Sequence, residues 1–375
     1  MRVLFFSRGF TPHDRRFLEK MATWRHEVSF LMLEEAEGFD PGRMLPRRVT
    51  YAGSLGARGG DVTPAGPDHL VTRFREVCGE VKPDLVHAGP VQSCGFLPAA
   101  AGFHPLLLMS WGSDLLRDAG IDERWERTTR FTLRASDWLL CDCETVRARA
   151  KELAPCDDSR IIVFPWGVDL AKFRPSPGAS PLRERLGWED HPVVLSTRMW
   201  EPVYGIDTLL DAFRLASAGI PGLRLILLGG GSLDTRVRGY IRDHGLDERV
   251  VMPGIVDESE MPGYFHAADL YLSCSLCDGS SVSLLQAMAC GLPVLVTDIP
   301  GNREWVTGGR NGLLARAGNG EEFAGGIGRA FRFSPPERRE MARMNRRIAE
   351  KRADWDKNIL LLRAAYDGIG KAHGK

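Results

Sequence analysis

The sequence predicts an α/β protein built as two doubly wound, Rossmann-like domains. Short apolar runs such as Val3–Phe6, Leu85–Ala88 and Leu223–Leu228 alternate with amphipathic stretches, which is the rhythm of βα units. Many of these runs end in small, polar or glycine-bearing loops, and open α/β sheets bind their ligands at strand carboxyl ends. The pattern restarts after Pro175 to Pro181, a proline- and glycine-bearing stretch that reads as a linker, and 375 residues suffice for two domains.

Composition narrows the function classes. A hydrophobic content of 43% and a charged content of 26% are those of a soluble globular chain. The formal net charge is zero, so bulk charge gives no reason to expect a nucleic-acid partner. Met1 to Phe6 runs straight into Ser7-Arg8-Gly9 and reads as a buried strand, not a signal peptide. No run approaches the length of a membrane span, so a cytoplasmic protein is expected, with at most peripheral contact at the inner membrane face. Eight cysteines are scattered along the chain. Cys274-x-x-Cys277 has no second pair at matching spacing, so reduced core thiols are expected and no metal site.

The first domain is read as residues 1–172, joined by a closing helix within 354–375. Arg2 to Phe6 is its first strand, Ser7 to Asp14 a loop holding Gly9, Phe10 and His13, and Arg15 to Trp24 a helix. The loop lacks G-x-G-x-x-G, so a dinucleotide site is not expected. Arg43 to Pro67, rich in Gly, Pro and Arg, reads as a loop. Asp84 to Ala88 is a strand ending near His87, and Pro105 to Ser110 a strand ending in Trp111-Gly112-Ser113-Asp114. Asp114 could accept from a ligand hydroxyl or cap the next helix. Glu123 to Arg134 is a helix with Arg124, Arg127, Arg130 and Arg134 roughly on one face, diluted by Glu123 and Glu126 into a solvated surface.

The second domain is read as residues 173–353. Pro192 to Thr197 is a strand whose loop runs from Arg198 through Tyr204 to Gly205. Leu223 to Leu228 opens into Gly229-Gly230-Gly231, and Val250 to Val256 is a short strand and loop that includes Ile255. The most informative stretch follows. Asp269 to Ser273 is a buried strand, Asp278 to Ser281 a polar loop, Val282 to Ala289 a helix, and Pro293 to Thr297 a second buried strand. The first amides of a helix lack internal partners and carry partial positive charge, which suits a phosphate. Asp278 and Gln286 stand where they could take sugar hydroxyls. An ordinary strand-loop-helix crossover with a polar cap reads the same pattern without a ligand.

Asp278-x7-Gln286, followed by Ala287-Met288-Ala289-Cys290-Gly291-Leu292-Pro293-Val294, resembles the donor-site signature of the family 4 retaining glycosyltransferases, which have the GT-B architecture. The resemblance runs from residue 1 to about 366. It implies two Rossmann-like domains facing across a cleft, a nucleoside-diphosphate-sugar as donor, and transfer of a hexose with retention of configuration and without a metal or other cofactor. It places Arg198 and Asp278 in catalysis. It assigns donor binding to Gly9, Arg198, Tyr204, Gly230, Ile255, Val256, Asp278, Gly279, Ser280, Ser281, Val282 and Gln286. It puts Phe10, His13, His87, Trp111 and Asp114 on the acceptor side.

The chain departs from the family at five places. Asp278 and Gln286 replace two glutamates, Trp111 a histidine, Tyr204 a lysine and Trp166 an asparagine. Those changes keep two alternatives in play: a non-catalytic relative that binds a sugar nucleotide or a partner protein, and a sugar-nucleotide epimerase, whose chemistry calls for more carboxylates and histidines than this chain shows.

Overall fold

A computed structural model describes residues 1–57, 68–176, 178 and 180–372. The chain divides into two units. The first comprises Met1–Pro165 with Lys357–Lys375, the second Trp166–Asp356.

Unit 1 is a seven-stranded sheet of β1 (Arg2–Ser7), β2 (Glu27–Glu34), β3 (Val49–Ala57), β4 (Leu85–Ala88), β5 (Leu106–Met109), β6 (Trp138–Cys141) and β7 (Ile161–Val163). Every pairing is parallel, in the order β3-β2-β1-β4-β5-β6-β7. The strands read as unbroken apolar runs because helices cover both faces of a parallel sheet. Val3, Leu4, Phe5 and Phe6 are all fully buried, and each such aliphatic or aromatic side chain contributes about 1.5–3 kcal/mol.

Unit 2 repeats the plan with β8 (Val193–Ser196), β9 (Arg224–Leu228), β10 (Val250–Gly254), β11 (Leu270–Ser273), β12 (Val294–Thr297) and β13 (Leu313–Ala315), in the order β10-β9-β8-β11-β12-β13. In each sheet the winding direction reverses once, between β1 and β4 and between β8 and β11. Loops at the carboxyl ends of these strand pairs diverge, and such crossover points are where doubly wound sheets take ligands.

Three expectations need correction. Arg43 to Pro67 is not one loop. Pro41–Met44 is a helical turn and Val49–Ala57 is the edge strand β3, while residues 58–67 lie outside the described set. The strand is hard to see because it is glycine-bearing, half-exposed and twice out of register with β2. The first helix spans Pro12–Met21, not Arg15 to Trp24. Thr11 caps it, and the Asp14 carboxylate returns the bond to the Thr11 backbone in a capping box, so His13 sits on the first helical turn. The expected division at 172/173 falls inside unit 2, because Val168 and Phe173 are 1% exposed in that unit's core and Val168 N–H donates to Ala353 O at 2.8 Å.

Candidate functional site

The site in unit 2 is assembled by the strands on either side of its crossover. Arg198 leaves the carboxyl end of β8, and Asp278 lies in the loop after β11. Arg198 Nη2 is 2.8 Å from Asp278 Oδ2, and Nη1 donates to Ser281 Oγ at 2.9 Å and Ser283 Oγ at 3.1 Å. The guanidinium lies 4.2 Å from the Tyr204 ring centroid, a cation–π contact. Tyr271 on β11 backs the arrangement, its hydroxyl donating to Ser283 Oγ at 3.0 Å. The side chains of Arg198 and Asp278 are only 12% and 17% exposed.

That burial sets the electrostatics. Loss of solvent pushes the Asp278 carboxyl above its ordinary value; Arg198 pulls the other way without cancelling it. Burial also works against the Arg198 charge, but Asp278, Tyr271 and Tyr204 outweigh it and the guanidinium stays above its usual range.

Ser281 is the N-cap of the helix Val282–Ala289, accepting from Leu284 N–H, so the amides of Val282 and Ser283 open the helix beside Arg198. Ser280 is held by the Trp305 indole, whose Nε1–H donates to its Oγ at 3.2 Å. Gly279 is buried beneath Gly301, where a Cβ would come within 2.4 Å of Asp278 O and 2.6 Å of Gly279 O. Gln286 is buried on the same helix.

The neighbouring loop is stitched to this one. Trp200 N–H donates to Gly230 O at 2.8 Å and Gly229 N–H to Gly254 O at 2.9 Å. Gly229 is required by the fold itself, with φ +109° and a Cβ position 2.6 Å from Arg198 O. Gly230 is not: the nearest atom to a Cβ there is Ile255 Cγ1 at an ordinary 3.8 Å. Ile255 is 75% exposed beside it, and Val256 is half-buried.

In unit 1, Gly9 lies just past the carboxyl end of β1, and a Cβ there would meet nothing within 4 Å. Phe10 packs on Phe30 and Phe39, at centroid distances of 5.9 and 5.1 Å. His13 and Trp111 come together, ring centroids 5.7 Å apart, both half-buried.

Two residues read as acceptor-facing turn inward instead. Asp114 is 2% exposed, and its carboxylate accepts from Val91 N–H at 3.1 Å, Ser110 Oγ at 2.6 Å and Leu115 N–H at 3.0 Å. It braces the β4 and β5 loops and has little left for a ligand. His87 is fully buried, Nδ1 2.6 Å from the Tyr366 hydroxyl and its ring edge-on to Phe5. Burial pushes its pKa down to about 3, so it is neutral in the folded protein.

The folded state thus resists protonation of His87, whereas the unfolded chain takes up a proton near pH 6.5. Stability is complete above that pH and is lost as pH falls toward 3, at up to ~1.4 kcal/mol per unit. We expect urea unfolding at pH 7.5 and pH 5 to differ by up to about 2 kcal/mol from this group. His87→Phe should remove that part of the slope; an unchanged slope would contradict the assignment.

Sequence reading missed Ser283, Tyr271, Gly301 and Trp305. The serine-rich loop was the available signal for Ser283. The other three act from neighbouring strands and turns, which spacing cannot bring together.

Comparisons with known proteins bear on this arrangement. Residues 191–332 match the family described as glycosyl transferases group 1. The matched stretch lies within unit 2. A D-inositol 3-phosphate glycosyltransferase of Acidothermus cellulolyticus is 30% identical over 219 residues, 56% of this chain and 48% of that protein. A GDP-mannose-dependent phosphatidylinositol monomannoside mannosyltransferase of Mycolicibacterium smegmatis is 31% identical over 159 residues, 40% of this chain and 42% of that one. The chain spans about half the length of these curated relatives.

Whole-chain likeness is structural. Sucrose-phosphate synthase from Thermosynechococcus elongatus superposes with TM-score 0.82 at 19% identity, covering 99% of this chain and 100% of that one. Anabaena HepE, solved in complex with UDP-glucose, gives 0.80 at 21%, covering 98% and 100%. The fold is that of the GT-B glycosyltransferases. Among the described residues no group of three or more His, Cys, Asp or Glu could hold a metal, and no helix is long and apolar enough to cross a membrane.

Proposed function

We propose that the chain is a glycosyltransferase that moves a hexose-type sugar from a nucleoside-diphosphate-sugar to an acceptor, with retention of anomeric configuration. One observation carries the proposal. At the crossover of a group 1 glycosyltransferase sheet, a guanidinium held from β8 meets the amides that open a helix after β11. A diphosphate departing from a sugar gathers negative charge, and a fixed cation with aimed N–H groups stabilises that charge without needing a metal ion.

In this reading Arg198 and the amides of Val282 and Ser283 receive the diphosphate, with Gly279, Ser280 and Ser281 shaping the turn. Gln286 would take ribose hydroxyls, and the Ile255–Val256 loop beside Gly230 the base. Tyr204 stands where the family's lysine would be. It serves the phosphate indirectly, as a ring under Arg198. Gly9 in unit 1 and Gly230 in unit 2 are glycines the fold does not itself demand, which supports close ligand approach at each. Phe10, His13 and Trp111 offer apolar ring faces suited to a sugar or a similarly flat acceptor. The departing phosphate would accept the acceptor's proton. A cytoplasmic setting is proposed with it.

The test is nucleoside diphosphate release from a panel of UDP- and GDP-sugars, with and without sugar, inositol phosphate and lipid-linked acceptors. Release that rises with an acceptor is the expected result. Tight binding with no release would establish the non-catalytic reading, and free epimerised sugar would establish an epimerase.

A further inference from the structure

A guanidinium carries five N–H groups in a fixed fork. On Arg198, Nη1 is engaged by Ser281 and Ser283, at 2.9 and 3.1 Å. Nη2 reaches Asp278 at 2.8 Å. Nε is buried and has no hydrogen-bond partner among the described residues. Nε and Nη2 form the edge that a bidentate oxyanion takes, through two parallel N–H···O bonds. Asp278 therefore fills one prong of a two-pronged site and leaves the other bare. A buried donor without a partner is unfavourable, so the ion pair is an incomplete occupant of that edge.

The remaining contacts fix Arg198 independently of Asp278. The Tyr204 ring lies under the guanidinium, and Ser283 is itself tied to Tyr271 on β11. Among the described residues that hydrogen-bond or ion-pair with this guanidinium, Asp278 alone is anionic. It is the group with which an arriving diphosphate has to compete.

We propose that Asp278 is a place-holding counter-ion, which neutralises Arg198 in the empty site and is replaced on the Nε–Nη2 edge by the donor's diphosphate. This rests on the donor reading above and assigns Asp278 a first task other than gripping sugar. A nucleoside diphosphate alone displaces the carboxylate and leaves it buried with the Ser281 hydroxyl as its remaining hydrogen-bond partner. A nucleoside-diphosphate-sugar brings hydroxyl groups that give the displaced carboxylate new donors. Asp278 thus favours the loaded donor over the spent one, which helps the product leave.

The test uses calorimetric titration of the full chain with UDP, GDP, UDP-glucose and GDP-mannose. Asp278→Asn removes the competing charge and nearly keeps the shape. It should bind the preferred nucleoside diphosphate about tenfold more tightly, or 1.4 kcal/mol. It should also narrow the affinity gap between that nucleotide and its sugar conjugate, while turnover falls. Asp278→Glu retains the charge and should bind the diphosphate within about threefold of the parent, since charge is what competes. Weaker or unchanged diphosphate binding in Asp278→Asn would overturn the proposal, the former making Asp278 a scaffold for Arg198. A tenfold gain in Asp278→Glu would overturn it equally, and that variant serves if the asparagine does not fold. If the parent protein binds none of the four nucleotides, the donor reading itself fails.

Discussion

Under the proposed function, replacing Arg198 with alanine should lower nucleoside diphosphate release by about 10²–10³-fold in kcat/KM, the usual cost of removing one aimed donor from a developing oxyanion. Among the described residues no other cation is hydrogen-bonded or ion-paired to Asp278, Ser281 or Ser283. The helix amides remain, so some catalysis persists. The fold should survive. Asp278, left without its partner, already sits above the ordinary carboxylate range, and taking up a proton limits the loss of stability to about 1–3 kcal/mol. Arg198→Lys should recover little. A single ammonium cannot span Ser281, Ser283 and Asp278 while lying flat on Tyr204. Turnover within about threefold of the parent in Arg198→Ala would remove the guanidinium from the mechanism.

Gly301→Ala should be nearly as damaging, although residue 301 touches no ligand in the proposed scheme. The added methyl would lie 2.4 Å from the Asp278 carbonyl oxygen and 2.6 Å from that of Gly279, far inside contact distance. Both obstacles are backbone, so the loop has to shift, by roughly 1 Å, and a displacement of that size costs about 10²-fold in a positioned site. Overpacking should cost a further ~1–3 kcal/mol of stability. Gly325→Ala is the matched control. It lies in the helix Gly320–Arg332, where a Cβ meets nothing within 4 Å, and should be neutral or gain about 0.5–1 kcal/mol. Equal activity in the two variants would show that the Asp278–Gly279 backbone does not position the donor.

Much of the fold could be read from the chain, because parallel strands buried on both faces announce themselves as short apolar runs. The segment Val282–Ala289 is a helix over just the residues its pattern marked. The edge strand β3 was not legible, since an edge needs only half the apolar residues and tolerates glycine and register shifts. The site was legible in its parts and not in its wiring. Arg198 and Asp278 stood out individually, but nothing in a spacing of eighty residues shows that they pair. Sequence also could not tell a ligand-facing side chain from a bracing one. Asp114 and His87 occupy strand-end positions that look functional, and the Asp114 carboxylate and His87 Nδ1 are engaged within their own unit. Tyr204 stands in place of a lysine, and the structure sets its ring against the Arg198 guanidinium, a contact that spacing does not show.

The terminal helix Trp355–Ala372 has a consequence for biogenesis. Its residues from Lys357 onward belong with Met1–Pro165, and Tyr366 closes over His87 in that core. During translation the amino-terminal portion therefore emerges early yet lacks its last piece until the ribosome has finished the intervening 166–356 region. The later-made portion, continuous in sequence, can mature first. A nascent chain stalled before residue 357 should carry one protease-resistant half and one that is still digestible.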